Sequence, residues 1–152
     1  MSDLQNDAAR WALLLDIGAA RPDEIVRWAD SVIVAEAKPR QELIELSTSA
    51  ENRIGDALRV LARGADVWRP VDAALPTILD FVEAHPERAP IVARVLYHLA
   101  VSERYEVPDS LRFILGAEDD FDLASSGILV LDDVYRRFLD DLRSAVAAHE
   151  NA

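Results

Sequence analysis

Six carboxylates in the last third of the sequence form its densest group of chemically active side chains. Four surround Phe121 and two follow as an adjacent pair: Glu118, Asp119, Asp120, Asp122, Asp132 and Asp133. Carboxylates bind divalent cations, but the run around Phe121 lacks the alternating acids, central glycine and terminal glutamate of a calcium loop. We interpret it as a solvated loop whose acids cap the next helix, or as a protein-binding site with Phe121 as an apolar anchor. A core position is the alternative for Phe121.

The three histidines do not follow a metal-binding or catalytic pattern. None of His85, His98 and His149 stands four residues from another, the spacing that aims two ligands on one helix at one zinc ion. We predict structural roles for all three, with no metal and no cofactor. A dispersed active site would require a deep pocket that gathers His85 or His98 with carboxylates.

Other motifs for catalysis are missing from the sequence. It has no G-x-S-x-G turn for a nucleophilic serine, and its five glycines are too far apart for a phosphate-binding loop. The chain has no cysteine, which excludes thiol nucleophiles, disulfides and thiolate metal sites. Asp132 and Asp133 are adjacent, so on a helix they point about 100° apart and do not converge on one atom. We therefore predict that the protein is not an enzyme.

Charge points to the kind of partner. The chain has 28 acidic and 16 basic residues, and residues 116–133, which we call the acidic segment, contain the six acids above and no base. Nucleic-acid binders gain most of their affinity by neutralising phosphates with lysine and arginine, so DNA and RNA are excluded as expected ligands. A basic protein would be attracted instead.

Trp68 is a second candidate for partner binding. The apolar pattern places it in a loop beside Arg69 and Pro70, where its ring is either presented to a partner or covers an edge of the core. Trp11 and Trp28 lie within apolar stripes, and we expect both in the core.

These residues must be positioned by helices, because apolar side chains recur at helical spacing through most of the chain. The pattern predicts an all-α fold: one domain over residues 1–152, built from eight or nine short antiparallel helices in an irregular bundle or short α-solenoid. The first helix covers about residues 4–17, with Ser2 or Asp3 as its N-cap, and Pro22 starts the second.

Helix ends around the acidic segment follow from glycine. We expect one helix over about residues 108–115 that stops at Gly116, and a last helix over about 127–149 that turns Leu131, Val134 and Phe138 toward the core. Along the exposed face of that helix, Asp133 and Arg137 are one of four i, i+4 pairs of opposite charge.

A membrane location is not expected. The chain starts with an acidic stretch rather than the basic and apolar regions of a secretory signal, and its longest purely apolar runs, 11–15 and 127–131, are too short to cross a bilayer. We predict a cytoplasmic protein.

Three stretches of the opening third carry a resemblance: Leu14-Leu15-Asp16-Ile17-Gly18, Pro22-Asp23-Glu24-Ile25-Val26-Arg27-Trp28-Ala29-Asp30 and Glu42-Leu43-Ile44-Glu45-Leu46-Ser47. Over about residues 10–63 the chain resembles small all-helical bacterial proteins, including uncharacterised domain families and immunity partners of polymorphic toxins. The resemblance implies a helical protein-binding protein and carries over no active-site residues.

Together these observations lead to one leading hypothesis and one alternative. We predict a non-enzymatic bacterial immunity protein that neutralises a basic toxin through its acidic surface. The alternative is a general helical adaptor or homo-oligomeric scaffold that uses an exposed apolar groove. The oligomeric state does not follow from the sequence.

Overall fold

The computed structural model describes residues 3–151, and every regular element in that range is helical. Eight α-helices are formed: α1 (Asp3–Ile17), α2 (Pro22–Ala35), α3 (Gln41–Ser47), α4 (Ile54–Leu61), α5 (Trp68–Ala84), α6 (Ala89–Ser102), α7 (Ile114–Ser125) and α8 (Leu131–Glu150). Three short 3-10 helices cover Glu51–Arg53, Pro86–Arg88 and Asp109–Leu111. No strand occurs between residues 3 and 151, which confirms the all-α prediction. Ser2, one of the two expected N-caps, lies outside the described residues.

The chain divides into two compact units whose boundary falls between Val71 and Asp72, inside α5. We call residues 3–71 the N-terminal unit and residues 72–151 the C-terminal unit. A boundary within a helix leaves no proline-rich or polar linker in the sequence, so the composition gave no sign of this division.

In the N-terminal unit α1 packs against α4, and α3 packs against both α2 and α4. Gly55 on α4 faces α1, since a Cβ atom there would lie in ordinary van der Waals contact with Leu15 Cδ2, at 3.6 Å. Asp16 and Arg59 form an ion pair of 2.9 Å between the same two helices. Burial still raises the pKa of Asp16, because the loss of water outweighs the attraction of Arg59.

In the C-terminal unit α7 packs against both α6 and α8. Three phenylalanines form an aromatic cluster there: the Phe138 ring lies 5.5 Å from that of Phe121 and 6.0 Å from that of Phe113, both edge-on. The Tyr135 hydroxyl donates a hydrogen bond of 3.1 Å to the backbone carbonyl of Val82. This unit is thus held by aromatic packing and by at least one partly buried hydrogen bond between its helices.

The predicted stop at Gly116 is wrong. A 3-10 turn precedes α7, which begins at Ile114 and continues through Gly116 to Ser125. Gly116 does not have the positive φ of a left-handed helix stop, which Gly18, Gly64 and Gly127 do have. Ile114, Ala117 and Phe121 are buried at helical spacing, so packing against neighbouring helices outweighs the low helix propensity of one glycine.

The predicted start of the last helix at residue 127 is also wrong. Gly127 has φ +80° and ends α7, and α8 begins four residues later, at Leu131. Leu131 was expected to face the core, but its side chain is 56% exposed. Val134 and Phe138 are buried as predicted, and Leu142 continues the same buried face, because the apolar spacing holds once the helix is regular.

Candidate protein-binding surface

The four acids around Phe121 lie on helix α7 rather than in a loop, and two of them form ion pairs within the C-terminal unit. The Glu118 carboxylate lies 3.4 Å from Arg94 Nε on α6, and the Asp120 carboxylate lies 3.6 Å from Arg137 Nη1 on α8. Both acids are partly buried. They lie beside the buried face of α7, and each forms an ion pair with an arginine on a neighbouring helix. They therefore contribute little uncompensated charge to the surface.

The remaining four acids are exposed. Asp119 and Asp122 lie on the outer side of α7, and Asp132 and Asp133 lie in the first turn of α8. None of the four makes an ion pair or a side-chain hydrogen bond with another residue between 3 and 151. The expected pair of Asp133 with Arg137 is not formed, since Arg137 contacts Asp120 instead.

Asp132 and Asp133 have a structural reason for their position. The first turn of an α-helix carries unpaired N–H groups and the positive end of the helix dipole, so acids there stabilise α8. Their presence alone therefore does not define a binding site. Asp119 lies in the interior of α7 and Asp122 in its last turn, where the helix dipole gives no such advantage.

Phe121 is not an exposed anchor. Its side chain is 4% exposed and packs edge-on against Phe138. This is the core position that the sequence left open, and it follows from the helical spacing of Phe121 with Ile114 and Ala117. The structure thus separates Phe121 from the four exposed acids.

Trp68 is the first residue of α5 rather than a loop residue, and its side chain is half-buried. The Asp66 carboxylate accepts hydrogen bonds from the backbone N–H groups of Trp68, at 2.9 Å, and of Arg69, at 3.5 Å. Asp66 therefore acts as the N-cap, and a capping residue two positions before Trp68 was the sequence signal for this helix start. Trp68 lies in the N-terminal unit, whereas the other seven candidate residues lie in the C-terminal unit.

The structure exposes an apolar segment that the sequence reasoning did not single out as a site. In the connection from α7 to α8, the side chains of Ile128, Val130 and Leu131 are 69%, 62% and 56% exposed. We call residues 128–131 the apolar segment; it lies inside the acidic segment. In the sequence, the apolar segment belongs to one of the two longest purely apolar runs, residues 127–131, which directly follows Ser125 and Ser126.

Backbone hydrogen bonds fix the start of the apolar segment. The Gly127 N–H donates to the Ala124 carbonyl at 3.1 Å, and the Ile128 N–H donates to the Leu123 carbonyl at 2.9 Å. With the positive φ of Gly127, these two bonds form a Schellman motif at the end of α7. The exposed side chains are therefore presented on an ordered backbone.

A second exposed group lies after α6. Arg104 and Tyr105 both have positive φ, 56° and 64°, a conformation that is uncommon for residues other than glycine. The Tyr105 ring is 57% exposed and lies 6.4 Å from that of Tyr97. Hydrogen bonding with Tyr105 raises the pKa of the Tyr97 hydroxyl, and the charges of Glu118 and Asp119 add to the shift.

Two of the three histidines each lie near one carboxylate, and the third is exposed. His85 Nδ1 lies 3.5 Å from Glu87, His149 Nδ1 lies 4.0 Å from Asp72, and His98 is exposed. Between residues 3 and 151 no three histidine, aspartate or glutamate side chains are placed to hold a metal ion. In the same range no helix is long and apolar enough to cross a membrane.

Comparison with known proteins does not identify a relative. No family model, curated protein or solved structure matches the chain.

Proposed function

We propose that the protein binds a basic protein through its C-terminal unit and that it is a bacterial immunity protein that neutralises a basic toxin. The observation that carries the proposal is the uneven charge. The N-terminal unit has 12 acidic and 9 basic residues, a net charge of -3, whereas the C-terminal unit has 16 and 7, a net charge of -9.

The exposed acids are the part of this negative charge that a partner in solution can reach. Asp119, Asp122, Asp132 and Asp133 are not neutralised by ion pairs within the described chain, so their field extends into solvent. Such fields steer a partner of opposite charge and raise association rates by roughly 10- to 1000-fold at low ionic strength. The proposal also places the protein in the cytoplasm, a compartment compatible with a chain that has no cysteine.

The experiment starts with the tagged chain as bait in extract of its native host. A captured basic protein is purified, and its association rate with the wild type and with D119K/D122K is measured at roughly 0.05 and 0.3 M salt. Asp120 is left unchanged, because its reversal would break the ion pair with Arg137. We expect slower association and a weaker salt dependence in the variant, with unchanged stability.

E36K/E45K is the matched control, because it makes the same charge change at exposed acids of the N-terminal unit. Equal slowing in both variants would show that only net charge matters and would remove Asp119 and Asp122 from the interface. The immunity role requires a further result: the captured protein, expressed alone, arrests growth, and co-expression of this chain restores it. A captured protein that is not toxic favours the adaptor alternative.

The alternative of a homo-oligomeric scaffold is supported by the exposed side chains of the apolar segment. Sedimentation velocity at the same two salt concentrations separates the two proposals. A dimer that persists or strengthens in salt supports self-association through apolar contact, whereas a monomer at both concentrations supports a separate, basic partner.

A further inference from the structure

We infer that the apolar segment, residues 128–131, is the anchor of the interface, and that its occupant is a basic protein with an apolar cleft rimmed by lysine or arginine. This inference rests on the proposed function and adds to it the surface that is buried. It replaces Phe121 with side chains that are exposed.

The first argument concerns the N-cap position of α8. Val130 is the N-cap residue of α8, has extended backbone angles and makes no side-chain capping bond. Serine, threonine, aspartate and asparagine are favoured there because their oxygens accept a bond from the first turn, and valine cannot. The N-caps of α3, α4, α6 and α7 lack a side-chain capping bond too, so Val130 is distinguished by being a branched apolar side chain that is 62% exposed at such a position.

The second argument is exposure together with order. Single exposed apolar residues are common on protein surfaces, but here three of four consecutive residues expose apolar side chains, which we call the apolar patch. The Schellman motif at Gly127 holds the start of this patch, and the Val130 carbonyl holds its end by accepting bonds of 3.1 Å from the N–H groups of Asp133 and Val134. The backbone of this segment therefore loses little conformational entropy when a partner binds.

The third argument selects the occupant by charge. Asp132 and Asp133 follow the patch directly, and Asp122 lies in the last turn of α7, which leads into it. A partner that covers the patch must therefore approach exposed carboxylates, and basic side chains on its rim would compensate them. A second copy docked by two-fold symmetry would instead set these acids against their own copies, which is unfavourable.

The test uses three synthetic peptides of equal length as probes. The first has leucines on one helical face and lysines on the other, the second replaces the leucines with serines, and the third replaces the lysines with glutamates. Binding to the full chain is followed by NMR shifts of the backbone amides. We expect the leucine–lysine peptide to shift amides 127–133 and the leucine–glutamate peptide to shift none of them.

Two variants make the test specific. In I128S/L131S we expect the Kd for the leucine–lysine peptide to rise by at least about tenfold, because the apolar contact is lost. V34S is the control, since Val34 on α2 is 86% exposed and lies in the N-terminal unit. Its Kd should equal that of the wild type. An equal Kd for I128S/L131S overturns the inference.

The outcomes separate this inference from the proposed function. If the serine–lysine peptide binds as tightly as the leucine–lysine peptide, with shifts near Asp119 and Asp122, the basic partner stands and the anchor fails. If the leucine–glutamate peptide binds amides 127–133 as tightly, the anchor stands and the basic partner fails. A dimer of the wild type that is absent in I128S/L131S would make a second copy the occupant and overturn the assignment.

Discussion

The two units of the chain are built from the same kind of element but differ in aromatic content and charge. All three tryptophans lie in the N-terminal unit, whereas all three tyrosines and all four phenylalanines lie in the C-terminal unit. The net charges are -3 and -9. The N-terminal unit packs its helices without a large negative charge, so helix packing does not require one. The additional negative charge of the C-terminal unit is therefore available for function.

Ion pairs between arginine and carboxylate side chains occur in both units. In the N-terminal unit Asp16, Asp23 and Asp56 lie within 3.3 Å of arginine side chains. In the acidic segment Glu118 and Asp120 lie 3.4 and 3.6 Å from arginine side chains, and its other four acids have no arginine partner between residues 3 and 151. The acidic segment differs because it contains no base of its own, so four of its acids stay exposed without an ion pair among the described residues, beside the apolar segment.

The largest expected effect tests whether the units are independent in stability. Phe138→Ala removes the centre of the aromatic cluster and should lower the stability of the C-terminal unit by about 3–5 kcal/mol. Tryptophan fluorescence reports only the N-terminal unit, while far-ultraviolet circular dichroism reports both. Independent units predict that denaturant unfolds the variant earlier by dichroism than by fluorescence. Coincident curves would show that the two unfold as one cooperative block.

A smaller effect compares two glycines with nearly the same backbone conformation. Gly127 has φ +80° and Gly64 has φ +83°, so alanine at either position should lower the free energy of unfolding by about 1–2 kcal/mol. No atom lies within 4 Å of a Cβ at Gly127, so the strain there is purely conformational. Only Gly127→Ala should also weaken binding of the leucine–lysine peptide, because it disturbs the apolar segment. Equal peptide affinity in both variants would mean that the Schellman motif does not position this segment.

Next in size is a substitution that should stabilise the fold and weaken binding. Val130→Ser supplies a hydroxyl at the N-cap of α8, and we expect a gain of about 1 kcal/mol in the free energy of unfolding. Removal of the exposed valine should reduce affinity for the leucine–lysine peptide. Thermal unfolding measures the expected gain in stability, and the peptide titration measures the expected loss of affinity. A loss of stability would show that Val130 is needed by the fold, and the argument from its N-cap position would then be wrong.

The smallest effect concerns pH. Burial raises the pKa of Asp141, with the attraction of Arg137 acting against it, so the folded state binds this proton more tightly than the unfolded state. Asp141 therefore favours folding most when protonated, and its contribution falls as pH rises through the raised pKa. Asp141→Asn should slightly stabilise the C-terminal unit at neutral pH and flatten this dependence in the mildly acidic range. Denaturant unfolding followed by dichroism at several pH values measures it, and an unchanged pH profile would contradict it.

Several elements were predictable because they depend on neighbours in sequence. The bounds of the first helix, 4–17, and the start of the second at Pro22 agree with the structure to within one residue. The buried positions Val134, Phe138 and Leu142 also follow from spacing alone. These features were accessible because capping, proline geometry and apolar periodicity act within a few residues.

The candidate site was only partly predictable. The sequence located the acidic segment, but it could not tell which acids pair with Arg94 and Arg137, since those arginines lie on other helices. It also left open whether Phe121 is an apolar anchor or a core residue, because a phenylalanine among acids is the same pattern whether its side chain faces inward or outward. The exposed side chains lie a few residues later, in a connection that was assigned to a helix.

The sequence by itself determined that the chain is helical and acidic and that it lacks the common catalytic motifs, because periodicity, charge and motif spacing are properties of the unfolded string. Only the tertiary structure decided that α7 continues through Gly116, that Phe121 is buried and that residues 128–131 are exposed. The physical reason is that burial, and the choice between two backbone conformations at a glycine, depend on what the neighbouring helices cover.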